Sequence, residues 1–257
     1  MPKFYKSVSA GLMLLLLTCI TAFAQKEKDI HIIYIGDSIT EGVQLSDPAS
    51  QAPPATASAY IKSQDGIGRL DFSNQGHSGF TTVDFLPGTR TFKELEQAAS
   101  GLAGKPGLLV FSIMLGTNDS AIHGPNGSPV SPDAYRANLN AIVGTLLKDY
   151  PGCMIIIHHP TWYSPNTYNG AQYLQEGLDR LQSYFPEIRK LVNSYAASHP
   201  GQVYAGDTNA FAYFKKEHLS SLIPENGHQG TFYLHPNEAG AKTLGIFWAK
   251  AIYRRIK

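Results

Sequence analysis

"HIIYIGDSITEG", residues 31–42, is the stretch on which the fold turns. His31 to Ile35 is apolar and β-branched at nearly every position, not at alternate ones. That is the composition of a strand covered on both faces, as in a parallel sheet between helices. Gly36 ends the run, and Asp37-Ser38 then stands ahead of a segment able to begin a helix. The theme recurs in "GLLVFSIML" (107–115), "CMIII" (153–157) and "QVYAG" (202–206), with "LDFSN" (70–74) a weaker version. These five strand candidates alternate with helix-period segments, the pattern of one α/β layered domain.

The intervening helices have readable ends. Thr91 and Glu94 suggest a capping box ahead of Leu95, Ala98 and Leu102. Ser131-Pro132 opens a second helix, with Tyr135, Leu139, Ile142, Val143 and Leu146 on one face and Pro151-Gly152 as its stop. Residues 172–198 have helical spacing interrupted at Pro186, predicting two helices or one kinked helix. Asn237 to Ile256 closes the chain with a stripe of Leu244, Phe247, Trp248, Ala251 and Ile252. "SDPASQAPPATAS" (46–58) is expected to be loop, too short to separate domains, and no internal repeat is found.

The chain begins with Lys3 and Lys6, an apolar run from Gly11 to Ile20, and Ala22-Phe23-Ala24. This is the build of a cleaved secretory signal at residues 1–24, its apolar run too short to span a bilayer. Cys19 would be the anchor of a lipoprotein, but the Thr18 before it fits poorly and Ala22-Phe23-Ala24 offers the better cut. Residues 25–257 then form the mature domain, periplasmic or extracellular, of about 230 residues, enough for one substantial core. With 21 basic against 20 acidic residues, nothing resembles the basic stripe of a nucleic-acid binder. No later segment is apolar enough to cross a membrane. Cys153 is the only cysteine beyond the leader, so the mature chain has no intrachain disulfide and holds by packing.

Ligands of an open parallel sheet bind beyond the carboxyl ends of its strands, and the reactive residue types collect there. Ser38 follows the first strand on a turn begun by Gly36. A hydroxyl is a weak nucleophile and needs a base. In "NQGHSGFTT" (74–82), Gly79 permits a backbone N–H to approach a substrate oxygen, and in "LGTND" (115–119) Asn118 offers a carboxamide donor. His235, in "GTFYLHPNEAG" (230–240), arrives from the far end of the chain with Pro236 at the mouth of the last helix.

These blocks resemble the GDSL/SGNH hydrolase superfamily over nearly all of the mature chain: Gly36-Asp37-Ser38, Ser78-Gly79, Gly116-Thr117-Asn118-Asp119 and His235-Pro236-Asn237, in that order. The resemblance implies a flavodoxin-like three-layer α/β/α sandwich and ester hydrolysis without metal or organic cofactor. Ser38 is then the nucleophile and His235 the general base. The Ser38 and Gly79 N–H groups and the Asn118 side chain form the oxyanion hole. Small-molecule or glycan esters are the expected substrates, carbohydrate deacetylation foremost. A lipid acyl hydrolase and a carbohydrate-binding protein on an inactive scaffold are the rivals.

One block departs from the pattern. The family's Asp-x-x-His reads Phe232-Tyr233-Leu234-His235 here, so the acid that orients the imidazole is missing. Three arrangements stay open at this point. A backbone carbonyl orients His235; another carboxylate does, Glu225 in "LIPENGHQG" or Asp207 after "VYAG"; or the site is inactive. Of the remaining candidates, His158, His159 and Cys153 read better as structural residues, and His77 equally as pocket or surface. The aromatics of "TWYSPNTYNGAQY" (161–173) read better as cover for the sheet end than as sugar contacts.

Overall fold

A computed structural model describes residues 1–3 and 27–257; the proposed leader lies almost wholly outside the described residues. Its centre is a five-stranded parallel sheet ordered β2-β1-β3-β4-β5, from β1 (Lys28–Gly36), β2 (Ile67–Gly76), β3 (Leu108–Met114), β4 (Met154–Ile157) and β5 (Val203–Ala205). All five strand candidates form. The anticipated three-layer α/β/α arrangement is the fold, with the near-continuous burial of β1 and β3 as the sequence required.

Side chains alternate between the two faces. Tyr34, Ser112 and Ile156 share a register row and one face. The last helix, α8 (Glu238–Ile256), covers that face, and its Trp248 stacks on Tyr34 with ring centroids 6.1 Å apart. Beside it lie α3 (Pro53–Lys62) and α7 (Ala210–Ser221). Phe111 points to the other face and packs on Tyr150, which ends α5 (Pro132–Asp149). There α5 lies between α4 (Arg90–Ala103) and α6 (Leu174–Tyr195).

Several expectations need correction. Residues 46–58 are not loop: α2 (Pro48–Gln51) and the start of α3 occupy them, each with proline in its first positions. Proline there forfeits only an N–H that has no intrahelical acceptor, so it marks a helix start as readily as a loop. Ala57 and Ile61 of α3 are buried in this layer. The cap of α4 is Thr89, whose side chain accepts from Phe92 N, and Thr91 is buried within the helix instead of capping it. Residues 172–198 contain a single 22-residue helix with Pro186 inside it. An antiparallel pair, β6 (Leu222–Gly227) and β7 (Gly230–Pro236), precedes α8 outside the main sheet; its alternation is too weak to read from sequence.

The strand order reverses direction between β1 and its neighbours, β2 on one side and β3 on the other. The crevice opens at such a switch point, and the loops after β1, β2 and β3 are those that carry Ser38, Gly79 and Asn118.

Candidate active site

Ser38 opens the single-turn helix α1 (Ser38–Glu41), where first-turn N–H groups lack intrahelical acceptors. Asp37 caps it, its Oδ1 accepting from Ile39 N at 3.0 Å. Gly36 is required because a Cβ there would collide with Thr40 Oγ1 and lie 2.8 Å from the backbone oxygen of Met114. At Gly79 the requirement is conformational, with φ +79° and open space around the missing Cβ. Asn118 presents its carboxamide after β3: Nδ2 donates to Phe80 O at 2.9 Å, and Oδ1 accepts from Tyr173 O–H at 2.6 Å. The Gly79 and Asn118 loops are joined by Asp119, which accepts from Thr82 N at 3.0 Å and from the Thr82 hydroxyl. Burial pushes the Asp119 carboxyl up to about 7 against these bonds, and burial likewise raises Asp37 to about 6.

His235 comes from β7, and its Nε2 lies 3.0 Å from Ser38 Oγ. Its Nδ1 lies 2.9 Å from Glu225 Oε1, an oxygen that also accepts from the His235 backbone N–H at 3.2 Å. Glu225 stands on β6 directly opposite Phe232, the position where the family pattern has its aspartate. The acid has crossed the hairpin, and Phe232 is buried as core. Of the two carboxylates named from the sequence, Glu225 is the one within hydrogen-bonding distance of His235. Asp207 instead caps α7, accepting from Asn209 N and Ala210 N.

Burial alone would raise the Glu225 carboxyl. Hydrogen bonds from His235 and Gln44 outweigh it and hold the group below its ordinary value. Glu225 is therefore an ionised acceptor and Nδ1 carries the proton, which leaves the Nε2 lone pair facing Ser38. Gln44 has no sequence signal. Its Nε2 donates to Glu225 Oε2 at 2.7 Å; the same nitrogen is 3.1 Å from Nδ1, where two donors face each other and no bond forms.

Ser38, Gly79, Asn118 and His235 all line one cavity of about 520 Å³. Phe80, Leu234, Ala171 and Tyr173 supply apolar wall; Ser78, Asp84, Asn126 and Asn169 supply polar wall. The other singled-out residues lie elsewhere. His158 is buried against Ser112 and Trp248, and His159 stacks on Phe185. Burial raises the Cys153 thiol to about 12, leaving it inert. His77 stacks on Phe80 behind the cavity wall. In the 161–173 segment Trp162 and Tyr163 are buried, and of Trp162, Tyr163, Tyr168 and Tyr173 it is Tyr173 that lines the cavity. Among the described residues no His, Cys, Asp and Glu side chains group as a metal site, and no helix is long and apolar enough to cross a membrane.

The family described as GDSL-like lipase/acylhydrolase matches residues 34–243, from the end of the first strand into α8. The chain belongs to that family. It is a carboxylic ester hydrolase, and the family match spans the loops just described. Solved structures share the fold at low identity. A lipolytic G-D-S-L family member from Veillonella parvula is 19% identical, with TM-score 0.55 over 88% of this chain and 99% of its own. A carbohydrate acetylesterase from Sinorhizobium meliloti is 20% identical, with TM-score 0.56 over 86% of this chain and 97% of its own. A lipase/acylhydrolase from Enterococcus faecalis is 20% identical, with TM-score 0.54 over 88% and 96%. No curated protein sequence matches the chain.

Proposed function

We propose that this hydrolase deacetylates a carbohydrate, or a similar uncharged polyhydroxy ester, through an acyl-enzyme on Ser38. The observation that carries the reading is the Glu225–His235–Ser38 chain opening on a cavity whose wall contains Ser78, Asn126, Asn169 and Asp84 and neither lysine nor arginine. Carboxamides and hydroxyls suit sugar hydroxyl groups, whereas a phosphate or carboxylate would meet Asp84 with no lysine or arginine to offset it. The mixed polar and apolar wall favours a short acyl group over the long apolar groove that a lipid chain needs. The fold shared with a carbohydrate acetylesterase is consistent with this reading.

In the proposed reaction, the Ser38 hydroxyl proton passes to His235 Nε2 as Oγ bonds the ester carbonyl carbon. The oxyanion is met by the Ser38 and Gly79 N–H groups and Asn118 Nδ2, each such donor worth about 10²–10³ in rate. Collapse breaks the bond to the alcohol oxygen, which takes the proton from His235. Water then attacks the acyl carbon, gives its proton to the same nitrogen and releases acid and free Ser38. Glu225 holds the tautomer and stabilises the imidazolium. On the composition of residues 1–24 we further propose that the enzyme acts after export, in the periplasm or outside the cell.

Hydrolysis of acetylated mono- and oligosaccharides, measured beside p-nitrophenyl esters of two to twelve carbons, tests the assignment. Turnover of sugar acetates, with p-nitrophenyl rates falling steeply beyond about four carbons, is the expected result. A preference for the long chains would replace it with the lipid reading. Sugar binding without turnover would point to a binding protein.

A further inference from the structure

The Asn118 carboxamide has two ends of similar shape, and only one orientation presents an N–H to the substrate. Two contacts fix it: Nδ2 donates one hydrogen to Phe80 O, and Oδ1 accepts from the Tyr173 hydroxyl at 2.6 Å. Turning the amide over would set Oδ1 against the Phe80 carbonyl, two acceptors facing each other, and would deprive the Tyr173 hydroxyl of its acceptor. We propose that Tyr173 is a positioning residue for catalysis: it holds Asn118 with its second Nδ2 hydrogen free for the oxyanion, and it polarises that N–H by donating to the amide oxygen. The inference rests on the oxyanion role assigned to Asn118 above.

The surroundings of Tyr173 are built for that duty. The residue is buried, and burial raises its phenol well above the ordinary value, so the hydroxyl remains a proton donor across the working pH range. Its backbone N–H and that of Leu174 both donate to Thr167 O at 3.2 Å. Leu174 takes φ +55°, a conformation leucine rarely adopts, at the start of α6. Tyr163 packs edge-on against the ring at 5.3 Å, with its own hydroxyl 2.8 Å from Ser120 Oγ. Ser120 in turn donates to Thr117 O, next to Asn118. The aromatic segment therefore grips the Asn118 loop at two successive points. A tyrosine serving only as cavity wall would need neither a hydroxyl aimed away from solvent nor a short bond to a site carboxamide.

Steady-state hydrolysis of p-nitrophenyl acetate by Tyr173→Phe, Asn118→Ala and the double variant tests the proposal. Phe keeps the wall and loses only the donor. The expectation is kcat down about tenfold in Tyr173→Phe with KM within about twofold, Asn118→Ala down about 10²-fold or more, and the double variant no slower than Asn118→Ala. Multiplied losses in the double variant, an unchanged kcat in Tyr173→Phe, or a change confined to KM would each overturn the positioning role while leaving the site reading intact. Full activity in Asn118→Ala would instead remove the oxyanion assignment and this inference with it. Because Tyr173→Phe could lower the folded fraction, the ratio of oxo-ester to thiono-ester kcat/KM is read in the same sample, where that fraction cancels. Sulfur is a poor hydrogen-bond acceptor, so the ratio should shrink several-fold in both single variants; an unaltered ratio in Tyr173→Phe counts against the proposal.

Discussion

Among the described residues, two buried serine–histidine pairs have the same separation, and they have opposite chemistry. Ser38 Oγ and His235 Nε2 are 3.0 Å apart, as are Ser112 Oγ and His158 Nε2. What differs is the partner of the second ring nitrogen. His235 Nδ1 faces a carboxylate, Glu225, so it carries the hydrogen and Nε2 can take one from Ser38. His158 Nδ1 accepts from the backbone N–H of Asp207 at 2.9 Å, so its hydrogen is on Nε2 and points at Ser112. The first histidine can act as a base toward its serine, and the second can only donate. Access follows the same division, since Ser38 and His235 line the cavity while His158 is fully buried under Trp248. Distance alone therefore identifies no catalyst; the tautomer and the open space do.

The largest test of that contrast is the pair Ser38→Ala and Ser112→Ala. Loss of the nucleophile should lower kcat for p-nitrophenyl acetate by at least about 10⁴-fold. Loss of Ser112 should leave turnover within about twofold and cost about 1–3 kcal/mol of stability, because it strands the buried His158 Nε2–H without an acceptor. Comparable activity losses in both variants would break the distinction. Next in size is Glu225→Gln. A glutamine of the same shape cannot stabilise the imidazolium, and its amide can present N–H to Nδ1, forcing the tautomer that His158 has. A fall in kcat of about 10³-fold or more with a small change in KM is expected, by analogy with loss of the triad acid in serine proteases. Near-parental kcat would mean that His235 works as a dyad, with Glu225 as a surface neighbour.

The two halves of the site were unequally legible in the sequence. The nucleophile and oxyanion half sits on loops that leave the strand ends directly, so Gly36, Ser38, Gly79 and Asn118 could be placed from local composition and order along the chain. The base half depends on a hairpin that local pattern does not announce. Glu225 is ten residues from His235, and only the β6–β7 register reveals that it faces Phe232 across the ladder. Gln44 and Tyr173 were illegible as site residues for a related reason. Each acts through one long-range hydrogen bond, to Glu225 from the segment after α1 and to Asn118 from the segment before α6. Among the helices, the reading failed where proline or threonine is locally ambiguous: Pro48 and Pro53 initiate helices, and the cap of α4 is Thr89, not Thr91. The buried pair was half legible, since His158 was expected to be structural but nothing local named Ser112 as its partner.

The smallest effect sharpens the comparison from the structural side. Burial, reinforced by the neighbouring His159, lowers His158 from its ordinary value to about 3. Above pH 6.5 the imidazole is neutral in folded and unfolded chains alike, so it contributes no pH dependence there. As pH falls below 6.5 the unfolded chain binds a proton that the folded chain refuses. Stability then drops by up to about 1.4 kcal/mol per pH unit until the folded value is reached. His158→Gln keeps an acceptor for the Asp207 N–H and a donor for Ser112 but has nothing to titrate. Urea unfolding at pH 7.5 should find the variant less stable than the parent by about 1–2 kcal/mol, and at pH 5 the gap should close by on the order of 2 kcal/mol. His159, also lowered by burial, and the raised Asp37 and Asp119 titrate in both proteins, so they cancel in the difference. The variant's kcat should stay within about twofold of the parent's throughout, as expected for a donor-only imidazole outside the proton path. A pH-independent gap would mean that His158 takes up a proton as readily in the fold as in the unfolded chain, and the donor-only assignment of its imidazole would fail.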